Sequence, residues 1–210
     1  MTVAILSVSA RTDEEIAVTF EIRDGEHSQR ECFILSATLF ADMGLSVGEC
    51  DRECFDAVCE AALLYRAKKR GLNILGYGTS SEKGLVRKLT AKGFSKATAE
   101  AAVSQLSAEG YINADGDALR EAEKCISKLW GKKRIAATLY QKGYSDSSVK
   151  RAIFALEDGG VDFSELCAER LRRTVDELPR DPMEKQKLIA SLIRYGFSSD
   201  DIREAVRRFR

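Results

Sequence analysis

One stretch occurs three times in this chain of 210 residues, and it limits the possible folds more than any other feature. Each copy has a leucine, three residues of any kind, then glycine, an aromatic and serine. The copies are Leu89 with Gly93-Phe94-Ser95, Leu139 with Gly143-Tyr144-Ser145, and Leu192 with Gly196-Phe197-Ser198. Beyond each glycine, apolar residues recur at the same offsets. They are Ala99, Ala102, Val103 and Leu106, then Val149, Ala152, Ile153 and Leu156, then Ile202, Ala205, Val206 and Phe209. Steps of 3, 1 and 3 trace one face of an α-helix. Leu85, Ile135 and Leu188 extend the stripe one turn before each leucine.

The local chemistry predicts a helix, a tight turn and a second helix. Glycine accepts the positive φ of a helix C′ position without a Cβ penalty. The aromatic then falls where a C″ residue folds back onto the last turn. The serine is placed as an N-cap, its hydroxyl accepting an orphan N–H of the next helix. The three glycines lie 50 and 53 residues apart, the period of a stacked repeat array. A unit of about 50 residues is marginal alone, so neighbours share the burial.

The expected architecture is mainly α, with three tandem three-helix repeats in an elongated array behind a small antiparallel β meander. Residues 1–50 form the β extension, with repeats at 51–115, 116–160 and 161–210. Ile16, Val18, Phe20 and Ile22 alternate with Ala17, Thr19 and Glu21, the period of a half-buried strand. Val3, Ile5 and Leu6 open a strand before it, and Cys32 to Leu35 supply a third after the Asp24-Gly25 turn. Strands are expected within 1–36 only. A long helix follows from Asp51, with Gly71 a possible break because glycine costs about 1 kcal/mol inside a helix. Thr79-x-x-Glu82 can form a capping box, with Ser81 as the competing cap. The next repeat is expected to begin its first helix near Asp117. Asp181-Pro182-Met183-Glu184 places a cap, an N1 proline and a box glutamate in order.

Composition excludes several classes. With 44% apolar and 31% charged residues the chain is neither disordered nor a membrane protein. No basic leader is visible at Met1, and a cytoplasmic location is expected. The zero net charge is uneven: −6 over residues 1–50, +2 over 51–115 and +4 over 116–210. That pattern is unlike the clear basic excess of a simple nucleic-acid binder. Cys50, Cys54 and Cys59 match no common zinc spacing, and His27 is the only histidine. Neither a metal nor a cofactor is expected, and no paired catalytic set or phosphate loop points to an enzyme.

The charged outer faces are the candidate partner-binding residues. Lys83 and Arg87, and Lys88 and Lys92, are i,i+4 pairs opposite the Leu85/Leu89 stripe. Lys124 and Lys128 form another pair, and Arg170, Arg172 and Arg173 cluster in the third unit. Such cations can meet an acidic protein surface or DNA phosphates, although a solvated face explains any single one as well. Lys132-Lys133-Arg134 differ, because cations in a first helical turn oppose the helix dipole. Helix stability does not account for them.

Residues 61–206 resemble the RecX regulatory proteins of bacteria. The resemblance is carried in order by Leu72-Asn73-Ile74-Leu75-Gly76-Tyr77, Ser81-Glu82, Leu85, Lys88-Leu89 and Gly110-Tyr111-Ile112. It continues through Trp130-Gly131-Lys132-Lys133-Arg134-Ile135, Leu139 and Gln141-Lys142-Gly143. Gly78, Gly84, Asn113-Ala114 and Asp117 depart from the family pattern, which touches local capping and one packing contact. The resemblance implies a regulator that binds the RecA filament on single-stranded DNA; a monomer with at most weak direct contact to DNA is expected. Such a regulator restrains ATP hydrolysis, strand exchange and coprotease activity, in DNA repair and the SOS response. The competing reading is a helical-repeat protein acting directly on DNA. Its second helices are poor in base-reading side chains, however; Ser95 to Leu106 offers mainly Lys96 and Gln105.

Overall fold

The structure, a computed structural model, describes residues 2–209. Four strands and ten helices occur among them. The chain divides into two compact units, Met1–Tyr77 with Leu85–Tyr111, and Gly78–Gly84 with Ile112–Arg210.

The first unit opens with β1 (Thr2–Thr12), β2 (Glu15–Asp24) and β3 (His27–Ser36), paired antiparallel in sequence order. α1 (Ala37–Asp42) follows, its N-cap Ser36 accepting from the Leu39 N–H. A fourth strand, β4 (Gly48–Cys50), then pairs with β1, giving the order β3-β2-β1-β4. Strands therefore extend beyond residue 36. β4 has only three residues and no apolar alternation; its pairing with Val3, Ala4 and Ile5 creates it.

α2 (Arg52–Gly76) crosses the sheet, N-capped by Asp51. Val3, Ile5, Val18, Phe20 and Leu35 pack there with Val58 and Ala62. Phe20, Phe33 and Phe55 meet edge-to-face at 5.1–5.8 Å. Gly71 does not break α2. It is buried, and a Cβ there would lie 2.6 Å from Leu106 Cδ1. The glycine thus lets α2 approach α4 (Lys96–Ala108) closely. Between them lies α3 (Glu82–Thr90), through which the division of the two units falls. Ser81 is its cap, accepting from the Gly84 N–H at 3.0 Å, while Thr79 donates instead to Glu121.

The second unit contains two repeats. α5 (Ala114–Ile126), α6 (Lys132–Lys142) and α7 (Asp146–Asp158) enclose Ala118, Ala122, Cys125, Ile135, Leu139, Val149 and Leu156. α5 starts three residues earlier than expected, because the Asn113 side chain accepts from the Gly116 N–H. Asp117 is consequently inside the helix and buried. α8 (Phe163–Arg172), α9 (Pro182–Arg194) and α10 (Ser199–Arg208) bury Cys167, Leu171, Leu192, Phe197, Ile202 and Ala205. In each repeat the first and third helices pack together: α2 on α4, α5 on α7, α8 on α10.

The recurrent turn is the same object three times. Gly93, Gly143 and Gly196 have φ of +92°, +90° and +92°. The following aromatic N–H donates to the carbonyl five residues back, Phe94 to Leu89, Tyr144 to Leu139 and Phe197 to Leu192. The glycine N–H donates to the carbonyl three back, completing a Schellman motif. Ser95, Ser145 and Ser198 then cap α4, α7 and α10, each accepting from the N–H three residues on.

Candidate partner-binding surface

The repeat junction within the second unit explains the basic turn that opens α6. Gly131, its N-cap, offers no side chain. Instead the Gly131 and Lys133 N–H groups donate to the carbonyls of Tyr195 (2.8 Å) and Gly196 (3.1 Å). Orphan donors of one helix start thereby meet orphan acceptors of another helix end. A Cβ on Gly131 would collide with the Gly196 backbone, and one on Gly196 with Arg134. The same arrangement recurs at the start of α3, where the Ser81 hydroxyl donates to the Lys142 carbonyl beside Gly143. There a Cβ on Gly84 would lie 3.1 Å from that carbonyl oxygen, which accounts for glycine at this position.

Two of the three cations in that turn serve the junction. The Arg134 guanidinium lies 4.2 Å from the Trp130 ring centre and 4.9 Å from that of Tyr195. Arg170 covers Tyr195 at 3.6 Å, so two cations and two aromatic rings stack across the junction. Lys132 donates to Glu157 and lies 5.1 Å from the Phe163 ring. Lys133 alone projects its charge without a side-chain partner among the described residues. Local contacts therefore do account for Lys132 and Arg134, contrary to the expectation from the helix dipole. Trp130 and Tyr195 are far apart in sequence, so this contact was not legible there.

The remaining candidates divide in the same way. Lys124 donates to Glu121, and Lys128 sits over Trp130 at 5.0 Å. Arg172 pairs with Glu165 and Glu169, and Arg173 with Glu169. Lys83, Arg87, Lys88 and Lys92 are exposed. Of these, Lys83, Lys88 and Lys92 carry no internal side-chain partner among the described residues. Unneutralised positive charge among the candidates is thus concentrated on and just after α3, with Lys133 as its counterpart on α6.

Each unit also exposes residues that were not among the candidates. Arg66 and Arg70 on α2 line a groove with Lys92 and Phe94. Tyr77 and Phe154 are exposed aromatics, 96% and 68% accessible, of the kind enriched at protein interfaces. Phe154 had no signal in the sequence beyond its failure to fit the apolar stripe, whereas Tyr77 lies in the stretch that carries the RecX resemblance.

Buried acid chemistry belongs to structure here. Burial would raise the Glu121 carboxyl, but hydrogen bonds from Lys124, Lys142 and Thr79 outweigh it and hold it down at about 2. Asp117 is displaced upward, chiefly by burial. Burial likewise pushes the Cys50 and Cys167 thiols up to about 12, which leaves them poor nucleophiles. Among the described residues no group of three or more His, Cys, Asp or Glu is placed to hold a metal ion. No helix there is long and apolar enough to cross a membrane.

Residues 165–206, covering most of the third repeat, match the family profile described as RecX, third three-helix domain. Over that stretch, about a fifth of its length, the chain is similar to the RecX family. Its fold agrees with that of solved RecX proteins. A crystal structure of regulatory protein RecX superposes with a TM-score of 0.72 at 21% identity, over 96% of this chain and 99% of that one. RecX from Lactobacillus salivarius gives 0.60 at 21% identity, over 70% of this chain and 96% of its own. At that level of identity these likenesses establish the RecX fold alone. No curated protein sequence matches the chain significantly.

Proposed function

We propose that this chain is a member of the RecX family and a regulator of the RecA recombinase. It binds the RecA filament on single-stranded DNA as a monomer in the cytoplasm, slows ATP hydrolysis and strand exchange, and hydrolyses nothing itself. The observation that carries this reading is the RecX domain match over residues 165–206. The full-length RecX fold and the helical repeats with unneutralised cations support it. Lys83, Lys88, Lys92 and Lys133 are the first contacts to test, because their charges are not already spent on internal carboxylates or rings. The organisation into a β extension (1–50) and repeats at 51–115, 116–160 and 161–210 belongs to the same proposal, with each repeat offering one outer face to the filament.

The test is the single-stranded-DNA-dependent ATPase of RecA with increasing amounts of the protein. Hydrolysis should fall in a dose-dependent way, and the protein alone should release no phosphate. Lys133→Glu should weaken inhibition while melting as wild type does. A RecA ATPase rate indifferent to the protein would sink the proposal.

A further inference from the structure

A groove on the first unit gathers cations that the fold itself leaves unanswered. Arg66, Lys69, Arg70, Asn73, Lys92 and Phe94 line a volume of about 410 Å³, and no carboxylate is among them. Lys69 is held by Glu15, but Arg66, Arg70 and Lys92 have no internal side-chain partner among the described residues. In the third repeat Arg172, Arg173, Arg203, Arg207 and Arg208 pair with acids within their own unit, although Arg180, Lys185, Lys187 and Arg194 do not. Arg66 and Arg70 are i,i+4 neighbours on α2, a like-charge pair that costs helix stability a few tenths of a kcal/mol. No acid of the described fold offsets that cost. A ligand that supplies negative charge would.

We propose that this groove binds single-stranded nucleic acid directly, without a recombinase. Guanidinium groups match phosphate oxygens in bidentate geometry. Arg66 and Arg70 are about 6 Å apart along the helix axis, comparable to adjacent phosphates of an extended strand, and Lys92 adds a third charge. Phe94 is half-buried, fixed by the Gly93 turn, and so presents a rigid ring at the groove. Such a ring takes an unstacked base, which a single strand offers and a duplex does not. The Asn73 side chain lines the same groove and offers an amide donor and acceptor for a base edge or sugar. An acidic polypeptide would use the cations but has no need of the fixed ring, which favours nucleic acid as the occupant.

The experiment is fluorescence anisotropy of a labelled oligothymidylate titrated with the full chain at low salt, with no RecA present, so its outcome is independent of the RecA proposal. Wild type should bind, with affinity falling as salt rises. The double variant Arg66→Gln/Arg70→Gln should bind at least about tenfold more weakly. Its salt slope should be shallower by about 1.4, from two lost phosphate contacts. Phe94→Leu keeps an apolar side chain at the turn and should lose about fivefold or more with the slope unchanged. Lys185→Gln/Arg203→Gln, an equal charge change in the third repeat, should bind as wild type does. Arg66 and Arg70 are exposed, so the double variant should melt at the wild-type temperature, and it carries the test if Phe94→Leu misfolds. Absence of wild-type binding, or undiminished binding by the folded arginine variant, overturns the proposal. So does polyglutamate displacing the oligonucleotide at equal charge, which would assign the groove to an acidic protein.

Discussion

Three glycines with nearly identical backbone angles have different neighbours, and substitution should separate them. Gly93 has φ +92° with nothing within 4 Å of an added Cβ. Gly93→Ala should therefore cost only the backbone term, about 1–2 kcal/mol. Gly196 has the same φ but presses on the Arg134 backbone. Gly196→Ala adds an overpacking cost of about 1–3 kcal/mol, so its melting temperature should fall clearly further than that of Gly93→Ala. Equal melting temperatures would show that the junction gives way. Glu121 makes a second residue-scale prediction. Its folded pKa of about 2 lies below the ordinary value of 4.5, so its contribution is fully present above pH 4.5 and lost as pH falls towards 2. Glu121→Gln should flatten acid destabilisation across that window. The affected part should be on the order of 3 kcal/mol, and pH-dependent denaturant melts would measure it.

For a whole element, α6 shows how packing overrides a local rule. Basic residues in its first turn oppose the dipole, yet Tyr195 and Gly196 bring two carbonyls to that helix start, while Lys132 and Arg134 meet a carboxylate and aromatic rings. Reversing Lys132, Lys133 and Arg134 together to glutamate would set a new carboxylate against Glu157 and strip the stack between Trp130 and Tyr195. The triple variant should accordingly melt well below wild type, and Lys133→Glu should not. Thermal unfolding followed by circular dichroism distinguishes the two. If both melt alike, the stacked cations contribute nothing to the junction. β4 makes a related point. Its residues have no strand signal of their own and become a strand only by pairing with β1.

Across the molecule, many charges are consumed internally, and the free cations named above belong mainly to the first unit and α3. Inhibition of RecA through such exposed cations should fade as salt rises, because screening sets in beyond a Debye length of about 8 Å at physiological ionic strength. ATPase inhibition that persists unchanged in high salt would point to the exposed aromatics Tyr77 and Phe154 instead. The repeat, its αL glycines, its serine caps and the buried helix stripes were legible in the sequence because each is set by residues within a few positions of one another. Leu85, Leu89, Ile135, Leu139, Leu106, Leu156 and Ile202 are all buried. The unbroken course of α2 through Gly71, the fourth strand and the docking of Gly196 on α6 were decided by tertiary structure. So was the division of cations into paired and free. Periodicity records which face of a helix is apolar, but a charge's partner or a glycine's close neighbour is set by a second segment tens of residues away, whose approach no local pattern encodes.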